Sequence, residues 1–166
     1  MMSQSFKIAL FLNYFLRSTQ YAIVELINGM QECEVTVFAR AFLPHEHFGK
    51  LNIREEHLYT GGSLSHLKEE GYDLIHIVIE DTGVLEAGFQ AIYSGLPYLL
   101  RFQGGCDTNS MIHQPQYRYW LKEAIRHAQA ITVISQSDRD LLLNFGATCP
   151  VEVMPVSLDI KLIPPE

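Results

Sequence analysis

Short apolar runs alternate with helix-length amphipathic segments along the whole chain, and no other feature limits the fold as much. Lys7–Leu12 precedes the helical periodicity of Thr19–Met30, and Glu34–Ala39 follows it. Leu64–Glu70 leads into Leu74–Ile79, Val84–Tyr93 into Tyr98–Phe102, and Tyr117–His127 into Ile131–Ile134. Strands that alternate with helices pair in parallel, because a parallel neighbour can be reached only by a crossover long enough to hold a helix. The expected fold is α/β, a Rossmann-like, doubly wound and mostly parallel sheet of about six or seven strands.

Turn residues punctuate the pattern where it requires them. Gly71 precedes Leu74, Ser94-Gly95-Leu96-Pro97 separates a helix from the next strand, and Gly146 closes a helix. Leu51–Tyr59, after a loop containing Pro44, His45 and His47, reads as an edge strand. Near the end, Ile131–Ile134 reaches Ser135, and Ser135 and Ser137 each have an acid three residues on, Asp138 and Asp140, which is a helix N-cap signature. Val151–Val156 reads as a last strand before a proline-bearing tail. There is no internal repeat and no low-complexity stretch.

A chain of 166 residues, 48% hydrophobic, suffices for one well-buried domain and not for two ordinary ones. Nineteen acids against twelve lysines and arginines give a net charge of −7, which disfavours nucleic acid as a partner. The three cysteines, Cys33, Cys106 and Cys149, form no CxxC, so neither a disulfide framework nor a metal site is expected, and a reducing cytoplasm fits. The apolar run after Met1 lacks a small-residue cleavage site and is too short for a bilayer, so it reads as the first strand.

The run ITVISQSDRDLLLNFGATCPVEVMPVSLD, Ile131–Asp159, resembles the end of the N-terminal domain in retaining, nucleotide-sugar-dependent glycosyltransferases of family four (group 1). Pro155 and Asp159 stand where that family has its hinge, although its Asn-Gly turn is absent here. The resemblance implies the N-terminal half of a GT-B fold: residues 1–156 as an acceptor-side Rossmann-like domain, 157–166 as the start of an interdomain hinge, and a donor-binding domain absent from this sequence. It implies a nucleotide-sugar donor held mainly by that missing domain, a carbohydrate or lipid-linked acceptor, no other cofactor and no obligatory metal. The fragment alone is expected to be inactive, and no residue in it is assigned a catalytic role.

Ligands of such sheets bind at the carboxyl ends of the strands, near the point where strand order reverses. The strand-end loops are therefore where chemistry is sought, among them Asn13–Gln20, Glu80–Gly83 and Gln103–His113. Gln103-Gly104-Gly105-Cys106-Asp107 resembles the family's T-F-H-G-x-D loop, with Gln103 at the histidine position. The glycines allow close backbone approach and Asp107 offers acceptors to sugar hydroxyls, while a glutamine can bond a hydroxyl but cannot take its proton. Glu80 and Asp81 could orient an acceptor hydroxyl or a cation; helix capping is the competing account. Arg17 and Ser18, at a helix start, could hold an anionic group or merely cap. Cys106 reads as an inert thiol.

His76 lies inside a strand that resembles the family's DVIHxH run and reads as a hydrogen-bonded core imidazole. Tyr117, Trp120, Leu121, Ala124 and Ile125 form an apolar stripe expected in the core. Arg118, Lys122 and Arg126 recur on another face; without exposed aromatics they read as solvated rather than as a peripheral membrane contact. Two alternatives stand beside the transferase reading: a non-catalytic ligand- or partner-binding module of GT-B descent, and a sugar-nucleotide epimerase-like domain.

Overall fold

The structure, a computed structural model, describes residues 5–15, 21–42, 51, 53–57, 64–103, 108 and 111–155. Seven parallel strands run β1 Phe6–Phe15, β2 Cys33–Phe42, β3 Arg54–His57, β4 Leu74–Ile79, β5 Tyr98–Phe102, β6 Ala130–Val133 and β7 Val151–Val153. The helices are α1 Tyr21–Gly29, α2 His66–Glu69, α3 Leu85–Ala91, α4 Pro115–His127 and α5 Gln136–Phe145. The sheet order is β3-β2-β1-β4-β5-β6-β7, so winding reverses between β1 and β4. This is the Rossmann-like α/β fold that the alternation requires, with β3 as its edge.

β1 and β4 read as nearly continuous apolar runs because both of their faces are covered. On one face Leu10, Leu12, Val35, Val37, Ala39 and Val78 pack against Ile23, Val24 and Ile27 of α1. On the other, Phe11, Ile75, Ile77, Ile79, Leu100 and Phe102 join residues of α2 to α5. β1 and β2 run further than their apolar stretches, in register as far as Phe15 opposite Phe42, whose rings meet edge-on at 5.9 Å. Conversely, β7 ends at Val153, short of Val156, and α2 is a single turn of the expected Leu64–Glu70.

The cap of α5 is Ser135, whose Oγ accepts from the Asp138 amide at 3.1 Å and donates to its carboxylate at 2.6 Å. Ser137 lies inside the helix, and Asp140 accepts instead from Gln136 at 2.9 Å, so only one of the two Ser–acid spacings is a cap. Gly146 ends the helix at φ 114°, a left-handed conformation that costs a glycine no Cβ clash. Leu121, Ala124 and Ile125 of α4 are buried, with Tyr117 and Trp120 packed on them. Arg118, Lys122 and Arg126 are exposed. Tyr93 and Tyr119 are exposed too, so the basic face of α4 does have aromatic neighbours. No helix among the described residues is long and apolar enough to cross a membrane.

Candidate functional site at the strand switch point

Two polar clusters stand at the carboxyl ends of the strands, both built by the adjacency of β1, β4 and β5. The first joins β1 to the turn after β4. Asn13, within β1 rather than in the loop beyond it, is buried, and its Nδ2 donates to Asp81 Oδ2 at 2.7 Å. The Gly83 amide donates to Asp81 Oδ1 at 2.6 Å, so both carboxylate oxygens of Asp81 are engaged. Asn13 Oδ1 is buried without a partner. A Cβ at Gly83 would lie 2.6 Å from the Asn13 amide, so this turn closes on Asn13 only with glycine there. The capping account of Asp81 holds in altered form: the carboxylate takes an amide of the turn just before α3, whose N-cap Val84 makes no side-chain bond of its own.

The second cluster joins β4 to β5. In the amide orientation that satisfies both neighbours, Gln103 donates to Glu80 Oε1 at 3.3 Å and accepts from Arg101 Nε at 3.3 Å. Arg101 is 6% exposed, and burial holds its pKa below the usual guanidinium value. Val78 and Arg101 are cross-strand partners, and so are Arg101 and Thr132. His76 lies one pair back on the same face, opposite Leu10 and Leu99. Burial first, and the Arg101 charge second, push its pKa down to about 4, so the imidazole is neutral at pH 7. His76 is a core residue, but its Nε2 is buried without a partner, contrary to the hydrogen-bonded imidazole expected.

The structure thus brings Glu80, Asp81 and Gln103 to the same end of the sheet, beside the reversal of strand order. Arg17, Ser18, Gly104, Gly105, Asp107 and Cys106 lie outside the described residues. Arg101 was missed by the sequence reading; its signal was a charge inside an otherwise apolar strand, YLLRF. Among the described residues no group of three or more potential metal ligands occurs.

Strand order and the position of these clusters define the class as a Rossmann-like domain of the doubly wound kind, with its switch point between β1 and β4. Among solved structures, the chain is similar to a UDP-N-acetylglucosamine 2-epimerase, at TM-score 0.61 and 13% identity over 90% of this chain and 48% of that one. It is also similar to a Listeria monocytogenes protein assigned as UDP-N-acetylglucosamine 2-epimerase, at TM-score 0.58 and 17% identity over 86% of this chain and 42% of that one. At these identities the likeness is one of fold, which both share with the N-terminal half of GT-B proteins, and the chain spans about half the length of either structure. No family model matches the sequence. No curated protein matches it either.

Proposed function

We propose that the chain is the acceptor-side half of a two-domain, nucleotide-sugar-dependent retaining glycosyltransferase. The observation that carries this is the pair of adjacent carboxylates at the switch point, each in a different hydrogen-bonded setting. Asp81 is committed to Asn13 and the Gly83 amide and so fixes the turn. Glu80, tied to Gln103, is the carboxylate that orients a sugar hydroxyl, with the glutamine amide as second partner. In the transfer, the acceptor oxygen bonds to the anomeric carbon as the bond to the nucleotide phosphate breaks, and the hydroxyl proton leaves with that phosphate. This half positions the acceptor; Arg17 and Ser18 would meet an anionic group, and Gly104, Gly105 and Asp107 would complete the wall beyond Gln103. The nucleotide is held by a donor domain that follows the 157–166 hinge. A non-catalytic module remains compatible with the same crevice.

A second reading, a sugar-nucleotide epimerase half, is favoured by the likeness to the two epimerase structures. There too the crevice faces the sugar, so a binding experiment tests what both readings share. Amide NMR of the chain titrated with methyl glycosides and, separately, with UDP should show sugar-dependent shifts at Asn13, Glu80–Gly83 and Gln103, and none with UDP. Glu80→Gln should weaken the sugar about tenfold, the worth of one charge-assisted hydrogen bond. Binding of UDP without sugar, or shifts confined to the amino ends of the strands, would refute both. With a donor domain in the same polypeptide, a glycosylated acceptor separates transfer from an epimerised sugar released with free UDP.

A further inference from the structure

The α1 side of the sheet is covered by apolar packing over β1, β2 and β4 and, among the described residues, by none over β5 to β7. There the strands present Leu99, Arg101, Ala130, Thr132 and Glu152 on that face. Between α1 and the residues that follow β7 lies a groove of about 360 Å³, within the size range of small-ligand pockets. Ala22, Leu26 and Met30 form one wall, Met154 and Pro155 the other, and Arg101 the floor.

Arg101 is anomalous. Buried guanidinium groups are ordinarily paired with a carboxylate, because desolvating the charge is costly unless a counter-charge offsets it. Here its hydrogen bond is the one from Nε to the neutral Gln103 amide, and among the described residues it has no ion pair. Glu25, the carboxylate on the groove wall, is not within ion-pairing distance of it. Thr132 Oγ1, in cross-strand register with Arg101, and His76 Nε2, one pair back, are both buried without partners. Arg101 thus carries a fork of donors into a groove with largely apolar walls, and two further polar atoms without partners lie behind it on the same strip of sheet.

We propose that this groove binds a small organic anion, a carboxylate or phosphate monoester with an apolar body, whose acidic group pairs with Arg101 while its body lies between Met30 and Met154. The guanidinium geometry suits either acid by two parallel hydrogen bonds. The groove shares Arg101 with the Gln103–Glu80 cluster but lies on the α1 side of the sheet, and the proposal does not depend on the function proposed for that cluster.

Melting temperature and amide NMR of the full chain, titrated with benzoate, phenyl phosphate and neutral benzamide, test this. At a tenfold excess over its dissociation constant the preferred anion should raise the melting temperature by about 3–6 °C. It should also shift the amides of Gly29, Met30, Leu99–Phe102 and Met154, while benzamide does neither. Response to benzoate alone or phenyl phosphate alone identifies the acid as carboxylate or phosphate. Arg101→Met should fold and melt no lower than wild type without ligand, since it removes an unpaired buried charge, and should lose the anion response. Arg101→Lys should keep the charge and bind at least tenfold more weakly, lacking the fork. The proposal is overturned if neither anion acts, if benzamide acts equally, or if Arg101→Met still responds. It is equally overturned if Arg101→Met melts lower unliganded, or if binding appears only once residues 156–166 are removed, for then the chain itself supplies the counter-charge.

Discussion

His76 makes the stability of this domain depend on pH between its folded and its ordinary pKa. Its pKa is about 4 in the folded chain against an ordinary 6.5, so between these values the unfolded chain binds a proton that the folded chain does not. Stability therefore falls as pH drops through 6.5 and levels off only below 4, where both states carry the proton. With those two values the loss between pH 7 and pH 5 is about 2 kcal/mol, and the full displacement is worth about 3 kcal/mol. Urea unfolding at pH 7 and pH 5 of wild type and His76→Leu measures it, since carboxylates and the remaining histidines titrate in both proteins and cancel in the double difference. Wild type should lose about 2 kcal/mol more than the variant on acidification, a drop in melting temperature of about 4–8 °C beyond that of the variant. Equal losses in the two proteins would mean that the imidazole is not held neutral against Arg101, and the reasoning would fail.

Other perturbations follow from the same packing. Gly83→Ala places a methyl where the Asn13 amide sits and should cost about 1–3 kcal/mol in urea unfolding, much of it recovered in Asn13→Ala/Gly83→Ala; additive losses would show that the two residues do not meet. Ser135→Ala removes the cap of α5 and should cost about 1 kcal/mol, whereas Ser137→Ala should be nearly silent; the reverse order would move the cap. Gly146→Ala forces a side chain into φ 114° and should cost about 1–2 kcal/mol by the same assay, and a neutral result would refute the left-handed stop.

Much of the fold was legible because local and global signals agree. Leu74–Ile79 and Tyr98–Phe102 begin and end as the sequence reading has them, flanked by Gly or Pro within a few residues, and the helix read as Tyr117–His127 begins two residues earlier, at Pro115. β1 and β2 were read short because Asn13, Tyr14 and Arg40 interrupt the apolar pattern; ladder pairing carries the strands past them, which no single-strand periodicity reports. The site was half legible. Glu80, Asp81 and Gln103 stand at strand ends, which the alternation locates, but the Asn13–Asp81 bond spans 68 residues and exists only because β4 docks beside β1. No local pattern encodes which strand lies at the reversal.

The covering of the sheet explains why the two polar clusters coexist. A strand buried on both faces has room for almost no charge, and β4 accepts His76 only as a neutral ring. From β5 onward the strands alternate instead, with Leu100, Phe102, Ile131, Val133 and Val151 toward the helices and Arg101, Thr132 and Glu152 away from them. Alternation in a parallel strand signals a face without its own helical cover, since a doubly wound sheet sends the helices of its second half to one side. Arg101, itself buried, lies on that face next to the covered half, close enough to depress His76 and, through Gln103, to tie itself to Glu80. A counter-charge on Arg101 would remove one of the two causes that hold His76 down and loosen the demand on the Gln103 amide. An anion bound to Arg101 as proposed would therefore reach Glu80 through one side-chain amide, that of Gln103.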